Sequence, residues 1–518
     1  MPNEGSAIQR IARGAIQTFG SAYAARLINF VVLLLLYQIL VPEDFGAIGT
    51  AYSLLALAVA IRDFGLHYAL LHEHDNVHTL APTHFVLSVS LGTVSATLAF
   101  LMALFYDQAL AFTNTFNAYL GNTTTQAYPK VAIALAIFAA FDLLRTAALT
   151  AEVQLQRDLE FGRLAIAHAG GTVLAALMGL ATAYLGYGKW ALILGFFPYS
   201  VTYVLVFCTV VWLRHPPPLN KLKTFNREAA KRMVNYGIWF WVGGVPKIFV
   251  QHYDKLIISF FFGLSLRGVY DTAHNLAQIP TGAITLAIVR ITGAVYARYQ
   301  NDRDQLSAAY RRALRLILRA TIPISLVLAL ESERWIQIFR PEYALAAPIL
   351  QWLIIYSLCR PLLDDLYALF YSVGAPKTIA KFATLQAISL LTLAPLFAYY
   401  MDIEGIAISM NIMALVGLIF ALTLARNYVD VPIVQTFTPP IIAAAIGFSL
   451  HHISTSWLNT LPTLAGFIAG GTIFTIGYAL GLLLVERKTL IVEINTVINT
   501  IKPGPQATAS SPTNERDK

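Results

Sequence analysis

Charge is scarce in this chain. Only 12% of its 518 residues are Asp, Glu, Lys or Arg, about half the share in a soluble globular protein, whereas 57% are hydrophobic. This balance excludes a set of ordinary soluble domains and predicts a chain that lies in a membrane. The net charge of +8 alone would suit a nucleic-acid binder, but the basic residues collect in short loops between apolar stretches. No nucleic-acid partner is therefore expected.

Cysteine and catalytic motifs are scarce as well. The two cysteines, Cys208 and Cys359, fall within apolar stretches, so we interpret them as small buried side chains rather than disulfide or metal ligands. The sequence contains no Walker A, HExxH or GxSxG motif, which removes common signatures of ATP-, zinc- and serine-dependent catalysis. We expect no cofactor, no metal site and no enzymatic activity.

Long apolar stretches fill the chain instead. A bilayer core about 30 Å thick needs roughly 20 apolar residues per helix. The predicted fold class is therefore an all-α integral membrane protein with about fourteen transmembrane helices. The predicted spans are 15–40, 46–70, 83–106, 130–150, 161–185, 190–213, 234–262, 274–297, 314–338, 346–373, 378–400, 405–425, 433–450 and 463–485.

The Lys and Arg residues of the short loops predict the orientation. With the N-terminus inside, twenty fall on the cytoplasmic side and five on the outer side, so both termini are predicted to be cytoplasmic. Those on the outer side are Lys130, Lys189, Arg267, Arg334 and Arg340. The longest cytoplasmic loop, 214–232, carries six basic residues and separates six predicted spans from eight.

Two segments echo each other at an offset of 222 residues. They read LVPEDFGAIGTA (40–51) and FGLSLRGVYDTA (262–273), and both join an odd span to an even span on the outer side. They share the pairs Gly46/Gly268, Thr50/Thr272 and Ala51/Ala273. A repeat of the same orientation predicts two halves related by an axis along the membrane normal.

Charged residues within the spans are costly and therefore informative. Arg26 lies near the middle of the first span, and Tyr23 and Asn29 share its helix face. Either Arg26 grips an anionic group such as a phosphate in a central cavity, or it bonds to helix-end carbonyls or a neighbouring acid.

The seventh span carries a polar stripe. Lys247, Gln251 and Asp254 stand four and three residues apart, which places them on one helix face. The stripe either lines a water-filled cavity, or Lys247 and Asp254 pair with other helices. Asp254 is also a candidate for coupling to a H⁺ or Na⁺ gradient.

Two further arginines lie in the inner thirds of their spans, Arg62 in the second and Arg290 in the eighth. Arg62 either reaches out to the membrane surface or joins Arg290 at the cytoplasmic lip of a cavity. In the fourth span, Asp142 and Arg145 are three residues apart and are expected to form a local ion pair.

Several short segments carry a resemblance to a known family. They are LVPEDFG (40–46) followed by DFGL (63–66), LQRDLEFGR (155–163), YLGYGKW (184–190), DKLIISFFFGLSLRGVYDTA (254–273) followed by AQIP (277–280), and FYSVGAP (370–376). In this order they resemble the Wzx-type polysaccharide and O-antigen flippases. These form the polysaccharide-transporter branch of the multidrug/oligosaccharidyl-lipid/polysaccharide (MOP) superfamily.

The resemblance implies two pseudo-symmetric six-helix lobes that face each other across a central cavity and work by alternating access in the bacterial cytoplasmic (inner) membrane. The expected divisions are an N-terminal lobe (1–213), a basic cytoplasmic linker (214–232), a second lobe (233–425), two extra helices (426–486) and a partly disordered cytoplasmic tail (487–518). By position, Arg26, Arg62 and Arg290 match essential cavity arginines of the related lipid II flippase, although the sequences around them do not match.

The implied function is flipping of undecaprenyl-pyrophosphate-linked oligosaccharide repeat units for exopolysaccharide or O-antigen synthesis. The implied partners are the lipid-linked oligosaccharide, membrane lipids, a polysaccharide polymerase and a chain-length regulator. The candidate cavity residues are Arg26, Asn29, Arg62, Lys247, Gln251 and Arg290, with Asp254 for ion coupling.

Two alternatives remain open. A cation-coupled multidrug exporter of the same superfamily would favour an acidic cavity, whereas the central charges here lean basic. A polytopic glycosyltransferase or polymerase would need a large extramembrane loop, whereas the largest predicted outer loop, 107–129, is small and polar.

Overall fold

The computed structural model describes residues 4–62, 64–72, 77–119, 129–284 and 288–501, and these residues form helices and no strand. The α-helices are α1 (Glu4–Ile39), α2 (Pro42–Arg62), α3 (Leu66–His72), α4 (Val77–Leu104), α5 (Tyr106–Tyr119), α6 (Pro129–Arg157), α7 (Phe161–Ala165), α8 (Gly171–Tyr184), α9 (Trp190–Leu194), α10 (Val201–Trp212), α11 (Arg227–Ile257), α12 (Leu264–Ala277), α13 (Ile279–Ile284), α14 (Arg290–Arg298), α15 (Arg303–Leu330), α16 (Ser332–Ile336), α17 (Ala346–Trp352), α18 (Ile354–Ser372), α19 (Pro376–Ala425), α20 (Ile433–Leu458) and α21 (Thr463–Ile501).

The predicted class, an all-α integral membrane protein, is confirmed. Among the described residues, eight helices are long and apolar enough to cross a bilayer, and the bent pair Pro341–Trp352 and Ile354–Ser372 would add a ninth. One of the eight, Phe161–Tyr184, consists of α7, a π-helical turn (Ile166–Gly170) and α8. The count of fourteen spans stays a prediction.

Several helix ends differ from the predicted loops. The predicted outer loop 107–129 contains most of α5. Helix α12 begins at Leu264, ten residues before the predicted span, so Arg267 lies within a helix and is only 2% exposed, not in an outer loop. Helix α19 contains a sharp break at Met401 and Asp402, between the predicted spans 378–400 and 405–425.

The chain forms two compact units, Met1–Asp430 and Val431–Lys518. In the second unit, α20 and α21 pack along each other through small residues. Ala443 and Gly447 of α20 face Gly481 and Gly477 of α21, and a Cβ added at Gly477 would lie 2.9 Å from the Cα of Gly447. Such small-residue contacts let two membrane helices approach closely.

In the first unit, the two repeat segments pack against each other, in a contact that we call the glycine crossing. A Cβ added at Gly46 of α2 would overlap the carbonyl oxygen of Leu264, and one added at Gly268 of α12 would overlap that of Pro42. Pro42 and Leu264 are themselves 222 residues apart. The contact is therefore reciprocal, as a two-fold relation between the two segments would produce.

The two threonines of the repeat segments also make equivalent contacts. Thr50 and Thr272 are fully buried, and the Oγ1 of each donates to the carbonyl oxygen of the glycine four residues earlier, at 2.7 and 2.9 Å. Because these hydroxyls are satisfied within their own helices, two polar residues are accommodated in a contact that leaves no room for water.

Candidate functional site

A cavity of about 730 Å³ lies between helices from both sides of the glycine crossing. It begins one helical turn beyond the crossing, where Gly49 of α2 and Asp271 of α12, again 222 residues apart, line its wall. Helices α1, α2, α7 and α8 contribute to one side, and α11 and α12 contribute to the other. We call this space the central cavity.

One part of the wall is cationic. Among the described residues that line the central cavity, Arg26, Lys255 and Arg267 are the cations, against a single carboxylate, Asp271. Arg26 Nη1 lies 3.5 Å from the carbonyl oxygen of Gly282, and its side chain is exposed to the cavity. A cationic surface surrounded by apolar helices favours an anionic ligand.

Arg267 and Lys255 are the other two cations of the cavity wall. Arg267 Nε donates to Asp271 at 2.7 Å, and its Nη2 donates to Ser53 Oγ at 3.1 Å. Its Nη1 is buried and has no hydrogen-bond partner among the described residues. Lys255 interacts electrostatically with Asp254 and Asp271. Nearby acids thus hold both cations in place, while Arg267 keeps an unused donor.

Asn29 lies one turn from Arg26 on α1 and lines the same cavity. Its Oδ1 is buried and lacks a hydrogen-bond partner among the described residues. A buried amide oxygen of this kind costs free energy unless something bonds to it. Asn29 is therefore suited to accept a hydrogen bond from a ligand hydroxyl.

Aromatic side chains also line the cavity. Phe196 and Phe197 line the cavity with Tyr52 and Phe45 of α2. The ring centroids of Tyr52 and Phe197 are 5.3 Å apart, and those of Phe45 and Phe196 are 6.5 Å apart in an edge-to-face arrangement. These distances fall within the range of favourable aromatic pairs, so the rings form a supported surface.

A histidine stands at the edge of this wall. His168 lies on the π-helical turn Ile166–Gly170 and lines the cavity. Its Nε2 is 3.2 Å from Glu152 Oε1, and its Nδ1 is 3.0 Å from the hydroxyl of Tyr203. The π turn inserts a residue into the helix and so aims the ring at the cavity, a use of such turns that is common at functional sites.

The sequence-predicted site residues separate in the structure. Arg26 and Asn29 line the central cavity. Lys247 and Gln251 are not among the residues that line it. Lys247 Nζ instead lies 4.8 Å from the ring centroid of Tyr367 on α18, and Gln251 is exposed elsewhere on α11.

Asp254 is fully buried beside the cavity and does not line it. Its Oδ2 accepts a hydrogen bond of 2.8 Å from the hydroxyl of Tyr270. Its Oδ1 is buried without a hydrogen-bond partner among the described residues. The ion-coupling role of Asp254 stays a prediction.

Arg62 lies in a contact between helices. It donates to Asp142 at 2.7 Å, and the side chains are 9% and 0% exposed. The expected local pair between Asp142 and Arg145 is thus wrong, because Arg62 of α2 takes the carboxylate, and Arg145 instead lies 5.5 Å from the ring centroid of Tyr199. Arg290 begins α14, but its side chain lies outside the described part of the structure.

Sequence reasoning missed Lys255, Arg267 and the aromatic pair Phe196–Phe197. Lys255 directly follows Asp254 in the sequence, but the spacing of the polar stripe indicated a different face of the helix. The signal for the aromatic pair is Pro198, which stands inside the predicted span 190–213 and removes a helical hydrogen bond there.

The fold is that of the MOP transporters. It matches the lipid II flippase MurJ in an inward closed conformation, with a TM-score of 0.67, over 92% of this chain and 100% of that chain, at 13% identity. It also matches an inward-facing multidrug resistance MATE family transporter of the MOP superfamily, with a TM-score of 0.57, over 82% of this chain and 98% of that chain, at 16% identity.

The family follows from the sequence comparisons. The family model described as polysaccharide biosynthesis protein matches residues 35–341, and the chain belongs to this family. It is 23% identical to the succinoglycan biosynthesis transport protein ExoT of Rhizobium meliloti, over 89% of this chain and 90% of that protein. It is 20% identical to the lipopolysaccharide biosynthesis protein WzxC of Escherichia coli, over 88% of this chain and 85% of that protein. The resemblance to polysaccharide transporters is thereby confirmed.

Proposed function

We propose that this protein flips undecaprenyl-pyrophosphate-linked oligosaccharide repeat units across the cytoplasmic membrane. The single observation that carries the proposal is the central cavity, with Arg26, Lys255 and Arg267 against one carboxylate. A pyrophosphate carries the charge that such a wall favours. The curated relatives of this chain include a succinoglycan transport protein, which supports a substrate on the way to a polysaccharide.

The mechanism needs no covalent chemistry, so the protein is proposed to be a transporter and not an enzyme. The pyrophosphate and sugars enter the cavity, and the lipid tail stays in the bilayer. Arg26 and Lys255 hold the anionic head, and Asn29 bonds a sugar hydroxyl. The cost of moving a charged head through hydrocarbon is thereby avoided, because protein donors replace water around it.

In an alternating-access mechanism, the role of the glycine crossing is to close the cavity on one side. Gly46 and Gly268 close one end of the cavity by bringing two backbones into contact. On the predicted orientation this is the outer end, so the substrate enters from the cytoplasm. Release then requires α2 and α12 to part. Two glycines suit this role because they bring no interlocked side chains into the contact.

Other features remain part of the proposal. We expect both termini in the cytoplasm, a lobe on each side of the cavity, and partnership with a polymerase and a chain-length regulator. The energy source is either a H⁺ or Na⁺ gradient acting through Asp254 or consumption of the product. The former would require water or an ion to reach the buried Asp254 carboxylate.

The test is to delete the gene and identify which lipid accumulates. We expect a pyrophosphate-linked oligosaccharide on the cytoplasmic leaflet, loss of surface polymer, and recovery of both with the wild-type gene. As a matched control, the Gly244→Ala variant, whose added Cβ would meet no atom of the described residues within 4 Å, should also restore export. Increased drug sensitivity of the deletion strain without an accumulated glycan would overturn the proposal in favour of a multidrug exporter.

A further inference from the structure

We propose that the interruption between α9 and α10, residues 195–200, is a sugar-binding platform on which Phe196 and Phe197 stack against the rings of the carried oligosaccharide. This inference rests on the proposed function. It adds a binding site for a stated chemical class, the apolar face of a pyranose ring.

The local sequence explains why the helix stops here. Pro198 has no N–H, and its ring would clash with the carbonyl of Leu194 in a continuous helix. It also pushes Phe197 out of the helical region. Gly195 is extended at φ −138° and ψ −177°, and Ser200 is extended at φ −63° and ψ 150° before α10 begins.

Gly195 anchors the interruption against α8. A Cβ at this position would overlap the carbonyl oxygen of Ala175, so the backbone packs directly on the neighbouring helix. The broken segment is thus held in a fixed place and is not a loose loop. Irregular backbone at membrane depth is tolerated where it is packed in protein or lines a cavity, and the segment from Phe196 to Pro198 lines the central cavity.

Phe196 adopts a backbone conformation that bulky residues avoid. Its φ is +76°, in the left-handed region where a Cβ is crowded and glycine is favoured. Strain of this kind persists at positions where the side chain has a use. The side chain of Phe196 is only partly buried and lines the cavity, so close packing in the core does not account for the choice of phenylalanine.

The surroundings of the two rings favour a carbohydrate. Phe197 is supported from behind by Tyr52 at 5.3 Å and by Phe138 at 6.2 Å between centroids. Phe196 is supported edge-to-face by Phe45. Across the same cavity stand polar groups such as Asn29 and Asn275. Apolar rings combined with a few convergent polar groups suit a sugar, which has C–H faces and hydroxyl edges.

The proposal assigns the two parts of the substrate to different residues. The pyrophosphate binds the cations of α1, α11 and α12, and the sugars extend from it over Phe196 and Phe197. The platform therefore recognises the glycan and contributes nothing to the lipid pyrophosphate itself. This difference allows the two parts of the substrate to be tested separately.

The experiment exploits the strain at Phe196. The Phe196→Gly variant removes the ring and relieves the left-handed backbone, so it should melt no lower than wild type. Purified protein would be tested for binding of undecaprenyl pyrophosphate and of the same lipid carrying one hexose. We expect binding of the hexose-bearing lipid to weaken about fivefold, the size of a lost aromatic contact, with binding of the sugar-free lipid unchanged. Phe196→Trp should bind both as wild type does.

The matched control is Leu159→Gly. Leu159 also has a positive φ, +56°, and does not line the central cavity. This variant should bind both lipids as wild type does. If Phe196→Gly lowers the melting temperature, Phe196→Asn replaces it, because asparagine tolerates the same backbone region. Unchanged binding of the hexose-bearing lipid by the folded variant would overturn the platform. Failure of wild type to bind either lipid would instead overturn the proposed function.

Discussion

Cations of the first unit occur in two kinds of surroundings. Arg26, Lys255 and Arg267 line the central cavity of about 730 Å³. Arg62 and Lys247 lie where neighbouring helices meet. Arg62 is paired with Asp142 at 2.7 Å. Lys247 lies over the ring of Tyr367, at 4.8 Å from its centroid.

The difference shows what makes an intramembrane cation available to a ligand. All five carry a desolvation cost. What separates them is the surface on which they lie. Arg62 and Lys247 lie at contacts between helices, where an acid or an aromatic ring of the protein takes up the charge. Arg26, Lys255 and Arg267 lie on the cavity wall, where they can also meet a guest, even though Arg267 is paired with Asp271 at 2.7 Å. The predictions below test this distinction.

The largest effect is expected at the Arg62–Asp142 pair. Asp142→Ala leaves the guanidinium of Arg62 buried without its carboxylate, a change that costs about 3–5 kcal/mol when a buried pair is broken. We expect a large loss of folded protein in detergent, measured by thermal unfolding and by size-exclusion chromatography. The double variant Arg62→Leu/Asp142→Ala is the control and should recover most of the loss. If Asp142→Ala has the same melting temperature as wild type, this pair does not support the fold.

Arg26→Ala should abolish export and leave the protein inserted in the membrane. Arg26 is exposed to the cavity, so its loss removes charge from the site and little packing from the core. The measurements are surface polymer in the complemented deletion strain and the amount of protein in the membrane fraction. Normal polymer export by this variant would remove Arg26 from the site.

Lys255→Gln should reduce export about tenfold or more, the cost of losing one hydrogen bond to a charged group. Asp254 and Asp271 lose an electrostatic partner, but Asp271 keeps Arg267 at 2.7 Å. The protein is therefore expected to fold. Initial rates of polymer appearance provide the measurement. Rates equal to wild type would place Lys255 in a structural role.

Lys247→Gln is the matched comparison and should have the smallest effect, within about twofold in the same export assay. Glutamine is one atom shorter than lysine, but it keeps a flexible polar side chain near Tyr367 and removes the charge. Export reduced as much as in Lys255→Gln would show that the polar stripe of α11 belongs to the substrate site, and the distinction between the two kinds of cation would fail.

The sequence predicts the all-α membrane class because hydrocarbon requires long apolar helices. The break in α19 at Met401 and Asp402 falls in the gap between two predicted spans. What the sequence predicts less well is which side of a helix faces which neighbour. Residues 247 and 255 are eight apart, and at about 100° per residue their side chains point about 80° apart. Spacing alone does not tell which of the two directions holds the cavity.

The aromatic wall shows a second limit. Pro198 signals an interrupted helix from sequence alone, but no sequence pattern predicts the positive φ of Phe196 or the close packing of Gly195 against α8. Similarly, the repeat makes Gly46 and Gly268 equivalent, but the sequence does not predict that these equivalent residues contact each other. Both facts depend on contacts between segments that are distant along the chain, which local patterns do not encode.

The reciprocal contact of Gly46 and Gly268 has a consequence for the origin of the chain. If the two segments arose by duplication, a half-length ancestor would have formed this same contact with a second molecule of its own kind, as an isologous homodimer. Fusion of the two genes would then have freed each copy to diverge. The cavity reflects such divergence, since Gly49 on one side corresponds to Asp271 on the other.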